Sequence, residues 1–375
     1  MKYLLRAITR EEHLAFVAGQ SSVSHLQIPS WGEVKSDWRS ASLGWFDERG
    51  RLVGAGLVLL RALPKVRRYL AYLPEGPVID WDSEDLDGWL GPMIAYLRDL
   101  GAFTVRMGPP VVARRWDAAT VRGAVADPEV RWLREAPPSA ENPAARELAE
   151  RLHGLGWRPV TAEGEDSAAV NQPRYVFQVP FGDRPLREVQ AGYSPEWRRN
   201  AKKAWRAGVE VVRGGYEDLA AFHRLYAEAA ERDGLIPRPL SYFQRMWIAL
   251  RNEHPDRMRL YFSRFEGEDQ AAALMLAVGE HVWHAYGAAP HTRTDVCPDH
   301  ALQWRMMSDA HEMGATLYDL RGITGSVAGD EQHLALLRHR LGTGGEAVEY
   351  LGEWDFPLSK VLHKALDLYI AHRGA

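Results

Sequence analysis

The sequence predicts an α/β protein in which one unit of mixed strands and helices occurs twice in tandem. Three observations carry this. A charged turn, an apolar strand, an aromatic strand and a Gly/Pro exit run through residues 43–80 and return in the same order through 259–290. An amphipathic helix follows each run, DLDGWLGPMIAYLRDLGA and then DHALQWRMMSDAHEMGA. A short strand closes each, FTVRMG in the first half and LYDLRG in the second.

The elements read in order as follows. YLLRAI is a strand and REEHLAFVAG a helix. Ser30 is placed to cap a helix whose Trp31, Val34 and Trp38 share a face, with Lys35 pointing elsewhere. SLGWFDERGRLVGAGLVLLRAL is a hairpin turning at Glu48-Arg49-Gly50, and RRYLAYLPEGPVID adds a strand and a turn. Residues 115–170 are polar, broken by ADPEV, APPSAENPAA and EGEDSAA, with one helix (RELAERLHGLGW) inside. They read as the connecting part of a first unit, 1–170, and 171–375 is the second.

PRYVFQVPF opens that second unit. SPEWRRNAKKAWRAG is a helix capped by Ser194, with Pro195 in its first turn and Gly208 past its end. Arg198, Arg199, Lys202, Lys203 and Arg206 make it strongly basic, which suits either a solvated face or phosphate. Two further helices, the repeated hairpin and the repeated helix follow. A Gly-rich turn and a short polar helix carrying His339 and Arg340 lead to the strand EAVEYLGEW and a closing helix at 357–372. Gly322, Gly325, Gly342, Gly344 and Gly345 let the backbone come close to itself or to a ligand.

Composition narrows the function classes. The 375 residues suffice for two to three domains of about 100–200 residues. Net charge is −4, so general DNA or RNA binding is not expected, and any nucleic acid would meet a local patch. No apolar run approaches the roughly 18–20 residues that span a bilayer. The early charges of MKYLLRAITREEHLAF do not read as a signal peptide, and one cysteine, Cys297, fits a reducing compartment, so a cytoplasmic protein is expected. His284, His291, Cys297 and His300 lack zinc spacing, so no metal is expected. Neither a nucleophile elbow nor a P-loop occurs. His339-Arg340-Leu341-Gly342-Thr343-Gly344 is the nearest match to a pyrophosphate-binding loop of acetyl-CoA enzymes, but it starts with His and precedes a strand, so no acetyl-CoA is expected.

Several motifs carry a resemblance. Tyr318-Asp319-Leu320, Gly322-Ile323, the later Gly-rich loop, and Gly345-Glu346-Ala347-Val348-Glu349-Tyr350 resemble the C-terminal end of the Fem family of peptidyltransferases. So does the spacing of Gln27, Trp31 and Lys35. The resemblance spans about residues 1–370 and is weakest over 115–170. It implies two tandem acetyltransferase-like (GNAT) domains sharing one cleft, here without the long helical arm many members insert. It implies an enzyme that takes an amino acid from aminoacyl-tRNA and joins it to an amine, usually of a UDP-linked or lipid-linked peptidoglycan precursor, at the inner face of the membrane for the latter. By resemblance Lys35, Arg238 and Tyr242 bind the precursor's diphosphate and sugar side, Phe103 and Tyr286 line the acceptor cleft, and the basic helix meets tRNA. His339-Arg340 stands where the family has Phe-Lys, and Gly108 where it often has Asp.

The chemistry asks for little covalent help. An amine attacks an activated ester directly, so the site supplies positioning, a route for the amine proton and stabilisation of the oxyanion. Arg340 is expected to serve the oxyanion, and its high pKa excludes it as a base. His339 could take the proton, and the route stays open. The same chemistry on an antibiotic intermediate, and a non-catalytic GNAT-like binder of anions, are the other readings.

Overall fold

The computed structural model describes residues 3–63, 66–160, 172–289, 293–328 and 331–373, so His291 and residues 161–171, at the end of the connecting segment, lie outside it. The first part of the chain gives β1 (Leu4–Ala7), α1 (Arg10–Ala18), α2 (Pro29–Val34), β2 (Arg39–Phe46), β3 (Leu52–Ala62), β4 (Tyr69–Leu73), α3 (Leu86–Asp99), β5 (Ala102–Met107), β6 (Val112–Asp117), α4 (Ala118–Ala126), β7 (Ala140–Glu141), α5 (Pro143–Gly154) and β8 (Arg158–Pro159). The second gives β9 (Tyr175–Pro180), α6 (Leu186–Ala191), α7 (Pro195–Ala207), β10 (Glu210–Gly214), α8 (Leu219–Arg232), α9 (Leu240–Glu253), β11 (Met258–Phe265), β12 (Glu268–Val278), β13 (His281–Ala288), α10 (Pro298–Glu312), β14 (Leu317–Gly322), α11 (Glu331–Leu341), β15 (Glu346–Tyr350), β16 (Trp354–Pro357) and α12 (Lys360–Arg373).

Local chemistry sets many of these boundaries. Thr9 and Glu12 form a reciprocal cap on α1. Ser194 accepts a hydrogen bond from the Trp197 N–H, Pro195 opens α7, and Gly208 closes it at φ 91°. Ser30 does not cap α2. That helix starts two residues earlier than a Ser30 cap would place it, on Pro29, whose fixed φ suits a first turn, and Ser30 is buried inside it. The polar stretch after residue 115 holds more structure than its composition suggested, since α4, β7, α5 and β8 all fall within it.

Two sheets result, ordered β1-β2-β3-β4-β5-β16-β8 and β10-β11-β12-β13-β14-β9-β15-β6-β7. Each contains one parallel pair, β4–β5 and β13–β14, bridged by α3 and α10 respectively. That is the repeat expected from the sequence. Among the described residues the longest helix, α10, has 15 residues, and no long helical hairpin is inserted. No described helix is long and apolar enough to cross a membrane.

The sheets do not divide at residue 170. β6 and β7 leave the first half and join the second sheet beside β15. In return β16 leaves the second half and enters the first sheet between β5 and β8. The expected single strand EAVEYLGEW is therefore two strands in two sheets, handed over around Gly352 at φ 85°. A buried ion pair fixes the handover. Arg106 on β5 donates from Nε and Nη2 to the two carboxylate oxygens of Asp355 on β16, each at 2.7 Å. Glu353, also buried, accepts from the Tyr72 hydroxyl at 2.6 Å.

Removing one partner of a buried ion pair leaves the other's charge poorly compensated. Asp355→Ala is expected to cost about 3–5 kcal/mol, read as a lower urea midpoint. A loss below about 1 kcal/mol, the range of an exposed pair, would show that the exchanged strand is held by other contacts.

Candidate active site

Two cavities meet where the halves face each other. The first encloses about 220 Å³ between α2, α9 and the ends of β13 and β14. Lys35 caps the C-terminus of α2, and its Nζ lies 5.8 Å from the ring centres of both Trp31 and Tyr242. Burial lowers the Lys35 pKa, and nearby Arg238 adds to the effect. Arg238, set between Pro237 and Pro239, places its guanidinium 4.8 Å from the Tyr242 ring centre, and its carbonyl accepts from His223 Nε2. Tyr242 and Tyr286 meet through their hydroxyls at 3.2 Å. Burial raises the Tyr242 pKa strongly, so this phenol stays protonated. The described lining includes three cationic side chains, Lys35, Arg238 and Arg321, and no carboxylate.

Four of the five expected acceptor residues are thus brought together. Phe103 is not among them. Its ring is fully buried in β5, and its carbonyl accepts from the Leu358 and Ser359 amides, tying down the start of the C-terminal helix. An aromatic residue ahead of Gly-Pro-Pro has two faces available, and here the core takes it.

The second cavity, of about 330 Å³, has the second sheet as its floor and loops of the first half as its roof. His281 and Trp283 on β13 and Asp319 on β14 line the floor, and Glu75, Gly108 and Glu353 line the other side. Arg321 and Gln172 line both cavities. Arg321 bonds Glu75 Oε1 from Nη1 at 3.1 Å and Gln172 Oε1 from Nη2 at 3.2 Å. Both ends of this bridge have left-handed backbones, Arg321 at φ 64° and Glu75 at φ 47°. Ser24 donates to the other Glu75 oxygen at 2.5 Å.

Asp319 is fully enclosed. Its carboxylate accepts from Gln178 Nε2 at 3.0 Å and from the Arg321 N–H at 2.5 Å, and lies 3.6 Å from His281 Nε2. Burial alone would raise its pKa, but His281 and Arg321 with these hydrogen bonds hold it below the ordinary aspartate value. Asp319 therefore stays ionised at neutral pH. The His281 ring stacks on Trp283 at 3.8 Å.

His339 and Arg340 are not among the residues lining these two cavities. β13 and β14 pair only through His281–Trp283 and Leu317–Asp319 and then part. Arg340 reaches the carbonyls freed by that parting and donates from Nη1 to Gly322 and Arg321. Burial lowers its pKa to about 10, so it remains charged at neutral pH. His339 packs against His300, ring centres 4.8 Å apart, and its Nε2 has no hydrogen-bond partner. Burial, reinforced by His300 and Arg340, lowers its pKa to about 3, so it is neutral through the physiological range and a poor base there. The Gly-rich loop that follows packs on the protein itself. A Cβ on Gly344 or Gly345 would stand 2.2 Å from the Gly192 or Gln178 carbonyl oxygen.

The basic side chains of α7 stay largely free. Arg199, Lys202, Lys203 and Arg206 are exposed, while Arg198 is half-buried and donates to the Ala191 carbonyl. His284 bonds Gln303 and His300 approaches Asn200, and no group of three metal-ligating side chains forms among the described residues.

Sequence reasoning missed Arg321, Glu75, His281 and Gln172, and it gave Asp319 no role. A carboxylate in the apolar strand LYDL was a usable signal, because a charge placed there must find partners.

Comparison with known proteins agrees with this architecture. A lipid II:glycine glycyltransferase of Staphylococcus epidermidis is 23% identical over 421 aligned residues, covering 96% of this chain and 94% of that protein. Its counterpart in Staphylococcus aureus is 22% identical over 431, with the same coverage. Both alignments are longer than this chain, so those relatives carry insertions that it lacks. The crystal structure of FemX superposes with a TM-score of 0.79 at 21% identity, covering 96% of this chain and 99% of that one. A tandem GNAT protein from the clavulanic acid biosynthesis pathway superposes at 0.52 and 11% identity, again covering 96% and 99%. The model of the FemAB family matches residues 8–265 and 263–370, nearly the whole of both halves, and the chain belongs to that family.

Proposed function

We propose that this protein is a tRNA-dependent aminoacyltransferase. It joins glycine, or another small amino acid, to an amine of a peptidoglycan precursor and so builds the interpeptide bridge. The observation that carries this reading is the contrast between the two cavities. One offers three cations and three phenols with no carboxylate, which suits a sugar diphosphate. The other offers three carboxylates, Asp319, Glu75 and Glu353, against two arginines, Arg115 and Arg321, an acidic balance that suits an amine-bearing peptide. Relatives named as lipid II:glycine glycyltransferases support the substrate class. The protein works in the cytoplasm, at the inner face of the membrane if its precursor is lipid-linked.

The reaction needs no protein nucleophile. The neutral amine attacks the aminoacyl ester carbonyl, a C–N bond forms, and the ester C–O bond then breaks with the tRNA ribose as leaving group. The cavities hold the acceptor on both sides of Arg321, so its amine is presented in a fixed place. Arg340 acts through Arg321: it neutralises the two carbonyls of that left-handed turn and so keeps the guanidinium between the cavities. Acetyl-CoA is not part of this reading. The segment 339–344 closes α11 rather than opening a helix, and the amides of Gly342, Thr343 and Gly344 are bonded within it. Transfer to a secondary-metabolite amine is a second reading, kept open by Gly108, where the family often has Asp, and by His339-Arg340, where it has Phe-Lys.

The two readings differ over phosphate. If Lys35 and Arg238 hold a diphosphate, each charge-assisted contact contributes roughly 1.5–3 kcal/mol. Lys35→Ala and Arg238→Ala are then expected to raise the Michaelis constant for a UDP-linked or lipid-linked acceptor tenfold or more, at about 1.4 kcal/mol per decade, with donor kinetics almost unchanged. Unchanged acceptor constants would favour an acceptor without phosphate. The donor is tested separately on α7. Changing Arg199, Lys202 and Lys203 together to Ala is expected to weaken tRNA binding and flatten its salt dependence, by about 0.7–0.9 in log–log slope for each phosphate no longer neutralised. An unchanged slope would make this helix face merely solvated.

A further inference from the structure

The proton of the attacking amine has no assigned destination. His339 does not lie on the acceptor cavities, and its burial makes it a poor base. The second cavity holds another imidazole. His281 lines it, and its Nε2 faces the Asp319 carboxylate at 3.6 Å. The imidazole plane is fixed by stacking on Trp283, two residues along the same strand. Asp319 is fixed in turn by Gln178 and by the Arg321 amide, so it cannot turn away from the ring. His281 Nε2 makes no hydrogen bond in this structure, so the Asp319 carboxylate beside it is placed to balance an imidazolium formed in the cavity that both residues line.

We infer that His281, oriented by Asp319, takes the proton from the acceptor amine during transfer. This rests on the aminoacyltransferase reading above. As the C–N bond forms, the nitrogen loses a proton to the imidazole nitrogen turned away from Asp319. As the C–O bond of the ester breaks, that proton passes to the departing ribose oxygen. The imidazole ends as it began, and the products are an amide and a free ribose hydroxyl. Asp319 remains a carboxylate throughout and balances the transient imidazolium. The charged and titratable groups beside His281 are Asp319 and His25, and Glu75, Glu353, Arg115, Arg321 and Tyr350 line the same cavity.

The test uses the full-length protein, glycyl-tRNA, and the UDP-linked and lipid-linked precursors offered in turn. Wild-type turnover comes first, because its absence sinks the aminoacyltransferase reading and this inference with it. Given turnover, His281→Gln is expected to lower kcat by about 100-fold or more while the acceptor KM stays within about threefold. An ionisation on the acid side of the wild-type kcat profile, beyond that of the acceptor amine itself, is expected to vanish in the variant. A merely structural histidine would instead move the melting temperature or the KM and leave the pH profile in place. Asp319→Asn is the second variant, and it should lower kcat in the same direction, since an amide cannot balance the imidazolium. If either folded variant keeps kcat within roughly fivefold of wild type and retains that acid-side ionisation, the proton goes elsewhere and the inference is wrong.

Discussion

The fork between Arg106 and Asp355 is the constraint on which the rest of the architecture depends. It joins the last strand of the second half to the first sheet, with both residues buried. Burying two charges is costly, and good geometry with further hydrogen bonds is what makes it tolerable. Because β16 is locked there, β15 must end in the other sheet a few residues earlier, and the halves cannot slide or rotate freely. Glu353 sits between those strands and faces the second cavity. The cleft's dimensions therefore follow from strand exchange rather than from a soft contact between two independent domains.

Within that fixed cleft, charge is sorted by side. The first cavity has cations and no carboxylate, the second has three carboxylates beside Arg115 and Arg321, and the Arg321–Glu75 bridge stands at the boundary. Both bridge residues carry left-handed backbones, each a strain on the order of 1–3 kcal/mol. Such strain persists only where surroundings enforce it. Asp319 and Arg340 enforce it at Arg321, through its own amide and carbonyl. The sorting matters for an acceptor with a diphosphate at one end and an amine at the other. Each end meets the opposite charge, and the wrong orientation places like charges together.

Much of the fold was legible in the sequence because it is written as local periodicity twice over. The hairpins, the parallel strands and the connecting helices all announce themselves in patterns of 2 and 3.6, and α7 shows both its ends. Four residues named by family spacing, Lys35, Arg238, Tyr242 and Tyr286, come together around one cavity. The strand exchange was not, because Leu351-Gly352 sits inside an unbroken β pattern and sheet membership is a long-range choice. Phe103 was misplaced for the same reason: a strand residue's face is set by what packs on it. The pairing of His281 with Asp319 joins residues 38 positions apart through a parallel register that sequence pattern does not reveal. Gly108 shows the reverse. A Cβ there would meet only ordinary contacts with Glu75 and Glu353, so space does not demand glycine.

The most direct test of this account is a crystal structure of the protein with a UDP-linked muropeptide. The account expects the diphosphate between Lys35 and Arg238, the peptide passing Arg321, and its amine in the second cavity beside His281. A precursor bound with its phosphates away from Lys35 and Arg238, or with its peptide leaving the cleft without entering the second cavity, would contradict it.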